Sequence, residues 1–185
     1  MVTQQNKQGK FNYQIMENYE NYILGETDEE LILETSDQNR AIAVQMINNC
    51  RRHLDIVSRD LDPCIYDTSE VVDAIKKLAL RSRLSQIRII VLHPGSLHSN
   101  NHRLLDLAGR LSSFIEIRKP GREHGSYNKA LFLADDSGYI RRPHSDRFEG
   151  RANFDDQKTV SEIQREFNQN WEHGQQDPNF RRLSL

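Results

Sequence analysis

The sequence predicts an α/β fold in which a mixed, mostly parallel sheet is covered by helices on both faces. From about residue 37 to residue 171, short apolar runs alternate with amphipathic segments, which is typical of βαβ units. Residues 87–92 (IRIIVL) are almost continuously apolar, as expected of a central parallel strand that is buried on both faces. The 185 residues suffice for one domain, which we expect over residues 13–185 after a polar, mobile N-terminus of residues 1–12.

Periodicity and turn residues predict each element in turn. Helices are expected where apolar residues share one face, and strands where short β-branched runs are closed by Gly, Pro or Asp. The predicted order is a hairpin of residues 22–24 and 31–33, a helix over 36–52, a strand over 54–58, a helix begun by Asp67 with Glu70, a strand over 87–92, a helix around 104–111, a strand over 114–117, a hairpin of 129–134 and 138–142, a helix begun by a Thr159–Glu162 capping box, and a tail packing Phe180 and Leu183 onto the body.

Composition limits the function classes. A net charge of −2 argues against a protein whose whole surface wraps nucleic acid, although it allows a local basic patch. Cys50 and Cys64 fit neither a metal-ligand spacing nor a disulfide framework, which indicates free thiols in a reducing compartment. The polar N-terminus is not expected to act as a secretory signal, and no apolar run is long enough to span a bilayer, so we expect a cytoplasmic protein.

Three histidines lie close together in the sequence, at positions 93, 98 and 102. No carboxylate or cysteine completes a metal-ligand set at the usual spacing, so we interpret them as surface or loop residues. The sequence therefore predicts neither a metal nor a cofactor.

The chemistry-bearing stretch runs from Tyr127 to Asp156. Tyr127 and Lys129 are expected on one face at the start of an apolar strand, where the lysine ammonium can emerge into the crevice at the end of the sheet. Downstream, residues 150–153 (GRAN) are expected to form a tight turn. Such a turn would offer backbone N–H groups, the Arg151 guanidinium and the Asn153 amide to an anion.

This order of parts resembles the half-site of the phospholipase D-like superfamily, which reads His-x-Lys, four residues, Asp, and then Gly-Ser-x-Asn. Here Tyr127 stands in the place of the histidine, and Ala134 in the place of the aspartate, with Asp135 and Asp136 directly after it. Arg151 replaces the serine, behind an inserted basic loop. The phrases SRDLDP and HRLLDLAGRL are similar to an uncharacterised bacterial family of that superfamily. The chain thus resembles a degenerate single-motif member with the fold of one half-domain.

The resemblance implies a phosphohistidine mechanism that this chain cannot reproduce unchanged. Tyr127 is the only candidate nucleophile at the matching position, and its ordinary pKa of about 10 leaves it neutral at pH 7. We expect Lys129 to lower that pKa, but too little to replace an imidazole. We therefore predict a protein without enzymatic activity that keeps a phosphate site formed by Lys129, Arg151 and Asn153. Supporting residues are expected at Arg59, Asp60, Asp135, His144 and Arg147.

Two alternatives remain open. One is an active phosphodiesterase or nuclease that uses Tyr127 or a histidine such as His124. Single-motif relatives pair two half-sites, so the resemblance then implies a homodimer. The other is a protein-interaction module that uses the basic insertion and the C-terminal tail.

The partner prediction depends on a basic cluster. It is either a phosphate or nucleic-acid patch, or a solvated loop whose charges pair with neighbouring acids. Its members are Arg141, Arg142, His144, Arg147 and Arg151. Similarly, Arg59 and Asp60 either line the crevice or belong to a turn with acidic caps.

Overall fold

The computed structural model describes residues 19–97, 102–121, 126–177 and 180, and within them the chain forms one mixed sheet of eight strands. The spatial order of the strands is β1-β7-β6-β5-β2-β3-β4-β8. The strands are β1 (Leu31–Leu33), β2 (His53–Ser58), β3 (Gln86–Val91), β4 (Ile115–Lys119), β5 (Ala130–Ala134), β6 (Gly138–Arg142), β7 (Gly150–Asn153) and β8 (Gln175–Gln176).

The sheet is mixed, as predicted, but the expectation that it is mostly parallel is wrong. Only the β2–β3 and β3–β4 pairs of the described sheet are parallel, and the other five neighbouring pairs are antiparallel. Parallel neighbours need a crossover of a dozen or more residues, whereas short turns join antiparallel ones. The chain has such crossovers between β2 and β4, while β5, β6 and β7 follow one another through short connections.

Helices cover both faces, which confirms that prediction. In the described chain, α1, α2 and α3 pack on one face together with a one-turn helix (Pro63–Tyr66), and α4 covers the other face. The helices are α1 (Ser36–Asn49), α2 (Ser69–Arg81), α3 (Arg103–Arg110) and α4 (Gln157–Glu172). No helix among the described residues is long and apolar enough to cross a bilayer.

The helix N-termini lie close to the predicted ones, but the capping residues of α2 and α4 differ. Thr68, not Asp67, caps α2 by accepting from the Val71 N–H. Asp156, not Thr159, caps α4, since its carboxylate accepts from the Thr159 N–H at 2.9 Å. A cap side chain bonds the N–H two or three residues ahead, so neighbouring Ser, Thr and Asp residues compete for the position.

The predicted N-terminal hairpin does not form. Residues 20–27 make turns, including Gly25 at a φ of +83°, and β1 pairs antiparallel with β7 instead. This pairing buries Leu33 in the core, which a two-stranded ribbon at the edge would not achieve. Phe180 is buried as predicted, whereas Leu183 and residues 1–12 lie outside the described part of the chain.

The α4 face carries one buried ion pair within its apolar contacts. Arg88 on β3 binds Asp55 on β2 through two N–H groups, at 2.7 and 2.6 Å, and its guanidinium lies 4.8 Å from the centroid of the Phe167 ring. Gln164 of α4 donates a further hydrogen bond to Asp55. Because both charges have partners, the free-energy cost of burying the ion pair is largely offset, and the pair fixes the position of α4 on the sheet.

Candidate functional site

Tyr127 and Lys129 lie at the edge of the sheet where β2 and β3 end. β5 runs antiparallel to β2, with Leu131 opposite Val57, so the residues before β5 lie beside the carboxyl end of β2. Both side chains face α4, in line with Leu131 and Leu133 of the same strand. Lys129 therefore lies at this end of the sheet, beside α4.

Lys129 is paired with a carboxylate that the sequence pattern did not indicate. Its ammonium lies 2.6 Å from Glu166 of α4, and both side chains are partly exposed. The pair places a negative charge where the resemblance suggests a bound phosphate. An incoming anion must therefore compete with Glu166 for the lysine.

The Tyr127 phenol is in an unfavourable place for a nucleophile. Its hydroxyl is buried and makes no hydrogen bond of standard geometry with any described residue. Burial raises the pKa of Tyr127 most, the Glu166 carboxylate raises it further, and Arg141 only partly opposes this. The expected lowering of this pKa is therefore wrong, because burial and the Glu166 carboxylate both raise it. The phenol stays neutral well above neutral pH.

Residues 150–153 form strand β7 and not the predicted tight turn. Their backbone is paired with β1 on one side and with β6 on the other. The connection over residues 143–149 reverses the chain, so β7 runs away from the edge that carries Lys129. Asn153 lies opposite Tyr139 near the far end of β6, where its amide donates to Asp28 at 2.8 Å. The structure does not bring Asn153 to Lys129.

Arg151 does share a face with Lys129, and Arg141 lies between them. Arg141 is opposite Leu131 on β5 and opposite Arg151 on β7, so the two guanidinium groups are cross-strand neighbours. They line an open pocket of about 470 Å³ that reaches Thr159 in the first turn of α4. Arg151 is paired with Glu30, whereas the side chain of Arg141 forms no ion pair or hydrogen bond with the described residues.

Asp135 lies at the opposite edge of the sheet from Lys129 and has a structural role. Its carboxylate accepts from the backbone N–H groups of Arg51, Arg52 and His53, at 2.7, 3.0 and 3.0 Å. Burial acts to raise the pKa of Asp135, but these hydrogen bonds outweigh it and the net direction is down. Asp135 also has a φ of +48°, a conformation that Asp tolerates better than most residues.

The other predicted supporting residues lie near the Lys129 edge. Arg59 is exposed and Asp60 half-buried in the loop that follows β2. His144 and Arg147 are exposed in the 143–149 connection. That connection is anchored beside Lys129, because Ser145 donates to the Asn128 carbonyl at 2.8 Å and to its side-chain oxygen at 2.6 Å. His98 and His124 lie outside the described residues.

Arg142 belongs to the predicted basic cluster but not to a ligand surface. It is only 3% exposed and binds Asp62 at 2.5 Å on the face opposite Arg141. The two-residue alternation of a strand would have separated Arg141 from Arg142, had the strand face been assigned first. Glu166 carries a similar missed signal, since it adjoins Phe167 on the apolar stripe of α4.

Comparison with known families and solved structures identifies the family and the fold of this chain. Residues 35–183 match the model of a family described as "Domain of unknown function (DUF7931)". The chain belongs to this family. No curated protein matches it. The name DUF7931 carries no activity, so the solved structures supply the wider context.

Three solved structures show the fold of this DUF7931 chain. TrmBL2, an archaeal chromatin protein whose structure is described as showing a novel mode of DNA binding, is 12% identical with a TM-score of 0.61, over 92% of this chain and 61% of TrmBL2. Nuc of Salmonella typhimurium, a phospholipase D family member, is 10% identical with a TM-score of 0.56, over 80% of this chain and 99% of Nuc. NucT of Helicobacter pylori is 15% identical with a TM-score of 0.56, over 81% and 98%.

These likenesses confirm the predicted phospholipase D-like fold. Nuc and NucT are covered almost completely, whereas this chain spans 61% of the length of TrmBL2. At 10 to 15% identity the likeness extends to the fold alone.

Proposed function

We propose that this chain is a phospholipase D-like protein that does not cleave phosphodiesters but binds a phosphate-bearing ligand. The lack of cleavage follows from Tyr127, which stands where the superfamily has its nucleophilic histidine. A buried phenol beside the Glu166 carboxylate resists ionisation and offers no lone-pair base comparable to an imidazole.

The observation that carries the binding proposal is the register of Arg141 against Arg151. Like charges directly opposite one another on neighbouring strands are destabilising. Glu30 compensates Arg151, and Arg141 is left facing an open pocket without an ion pair to any described residue. A phosphate between the two guanidinium groups would relieve the repulsion and accept paired N–H bonds from each.

Lys129 and Arg151 keep the roles predicted for them, and Arg141 joins them as the central contact. Lys129 lies on the same face but must first be released by Glu166. Asn153 supports β7 through Asp28 in this arrangement and does not contact the ligand. The DNA binding attributed to TrmBL2 makes a nucleic-acid backbone one natural source of the phosphate.

Titration calorimetry with inorganic phosphate and fluorescence anisotropy with a single-stranded oligonucleotide, both at low ionic strength, test the binding. Arg141→Ala and Arg151→Ala should each weaken binding about tenfold, since a charge-assisted contact contributes on the order of 1.5 kcal/mol. Lys129→Ala should have a smaller effect. Arg165→Ala is the matched control, because the side chain of this α4 arginine bonds only the Ser161 carbonyl among the described residues. Equal affinity in Arg141→Ala and Arg165→Ala would overturn the proposed site.

A chromogenic phosphodiester, bis(p-nitrophenyl) phosphate, tests the absence of cleavage. We expect no turnover above that of the buffer. Turnover that disappears in Tyr127→Phe would establish the phosphodiesterase alternative. A turnover rate per protein molecule that rises with protein concentration would then indicate the dimer implied by the resemblance.

A further inference from the structure

A surface at the C-terminal end of α2 combines exposed leucines with unpaired cations. We call it the α2 patch, and its residues are Lys76, Lys77, Leu80, Arg83 and Leu84. Leu80 is 57% exposed and Leu84 is 63% exposed, and they are two of the four large hydrophobic side chains that are exposed among the described residues. Isolated exposed leucines are common, but two within five residues form a patch.

The helical period explains why these side chains point outward. Val71, Ile75 and Leu78 of α2 face the core, so residues 73, 76, 77 and 80 share the solvent face. The turn after α2 then exposes Leu84, whose N–H bonds the Ser82 hydroxyl at 3.1 Å. An open groove of about 450 Å³ is lined by Lys76, Lys77, Leu80 and Arg81 and by one acid, Asp73.

The charge of this segment has one sign. Residues 76–84 contain Lys76, Lys77, Arg81 and Arg83 and no acid, in a chain whose net charge is −2. Arg81 donates to the Cys50 and Asn48 carbonyls, which fixes it at the end of α1. The side chains of Lys76, Lys77 and Arg83 form no ion pair or hydrogen bond with the described residues. Their charges are therefore available to a partner.

We propose that the α2 patch binds the surface of an anionic lipid bilayer. Cationic side chains around two exposed leucines match an interface in which headgroups are negative and the layer beneath them is apolar. Lysine and arginine stems reach the headgroups while the leucines insert. A second copy of the chain is a poor occupant, because the same patch would meet it with like charge.

The α2 patch is independent of the proposed phosphate site. Helix α2 packs on the face opposite α4, whereas Arg141 and Arg151 lie on the α4 face. Variants of one site should therefore leave the other intact. Failure of vesicle binding thus carries no consequence for phosphate binding.

Co-sedimentation of the full chain with vesicles tests the proposal. We expect binding to phosphatidylcholine vesicles that contain phosphatidylserine, and little binding to phosphatidylcholine alone. Lys76→Ser with Lys77→Ser should weaken binding more than about tenfold, since each charge near an anionic surface contributes roughly a factor of five. Leu80→Ser with Leu84→Ser should weaken it by at least about tenfold, from lost insertion of both side chains.

Ile32→Ser provides the matched control, because Ile32 is 67% exposed but lies on β1, away from the patch. Unchanged thermal unfolding of each variant shows that the fold is intact. Equal binding to neutral vesicles, or equal losses in the Ile32→Ser and leucine variants, would overturn the proposal. The proposal would also be overturned if the protein bound neither kind of vesicle but did bind an acidic peptide that contains leucine. That result would identify the α2 patch as a peptide-binding site.

Discussion

The Lys129 ammonium lies 2.6 Å from the Glu166 carboxylate, across the gap between the start of β5 and helix α4. This contact decides the electrostatics of the site. It offsets the charge of the one lysine that the superfamily motif shares with this chain. It also keeps a negative charge beside the Tyr127 phenol. The same carboxylate thus opposes both tyrosine ionisation and anion binding.

Replacing Glu166→Gln should reverse both effects. Phosphate affinity should rise about fivefold, since removing one nearby unit charge is worth on the order of 1 kcal/mol. The pKa of Tyr127 should fall, because the carboxylate that raises it is gone. Tyrosinate absorbance, as the difference between each protein and its Tyr127→Phe version, measures that shift.

Glu162→Gln is the control for this experiment. Glu162 is exposed on the same helix, and its replacement by glutamine removes the same charge from the chain. If both variants change phosphate affinity equally, net charge and not the Lys129 contact is responsible.

Asp135→Ala should lower the free energy of unfolding by about 3 kcal/mol. The substitution leaves three backbone N–H groups without their carboxylate and places alanine at a left-handed φ. Asp135→Asn should cost less, because asparagine accepts one of the hydrogen bonds and tolerates that φ. Urea unfolding measures both, with the exposed Asp136→Ala as a near-neutral reference.

The Asp135 contribution should depend on pH with a definite sign. The folded pKa of Asp135 lies below its unfolded value, so its stabilisation is complete above the unfolded pKa and is lost as pH falls. The stability difference between the wild type and Asp135→Asn should shrink as the pH is lowered from about 5. A difference that grows on acidification would contradict the assigned hydrogen bonds.

Arg142→Ala and Arg151→Ala should differ sharply in stability. Arg142 is almost fully buried with Asp62, so its removal strands a carboxylate and should cost about 3 to 5 kcal/mol. Arg151 is 61% exposed in its pair with Glu30, and its removal should cost less than about 1 kcal/mol. Thermal and urea unfolding of the two variants decide the matter, and similar losses would contradict the burial of Arg142 and the exposure of Arg151.

The two cysteines should differ in reactivity. Both are free thiols, as predicted, but Cys50 is buried and Cys64 is exposed. Burial, together with the Asp135 carboxylate, raises the pKa of Cys50 to about 12, so little thiolate forms at pH 8. Titration with 5,5′-dithiobis(2-nitrobenzoic acid) should release one equivalent from the native protein and two from the unfolded protein. Cys64→Ser should then give a native protein without a fast-reacting thiol.

The sequence was sufficient for the parts of the fold that local chemistry determines. The strand with Ile87 and Ile89 and the hairpin at Asp135 lie within a residue or two of their predicted places, because period and turn residues are local signals. The direction of β5 beside β2 was missed. Pairing between distant strands depends on which apolar faces pack together. The apolar pattern within one strand does not determine its partner strand or its direction.

The sequence indicated Lys129, Arg151 and Asn153 as candidate site residues, but it did not give their arrangement. Lys129 and Arg151 share a face, whereas Asn153 lies toward the opposite edge. The motif spacing suggested a tight turn at residues 150–153. These residues form strand β7 instead, which runs away from the edge of the sheet that carries Lys129. Glu166 could not be linked to Lys129, because the contact spans 37 positions and requires α4 to lie across β5.

Helix α4, which covers the second face within the described part of the chain, gives the protein an order of assembly. Val57, Leu131 and Leu133 are synthesised long before Val160 and Phe167 can shield them. Until residues 157–172 leave the ribosome, one face of the nascent sheet exposes apolar side chains to solvent. Chaperones bind such exposed apolar surfaces. The same late helix delivers Glu166, so the site takes its final electrostatic form only as folding ends.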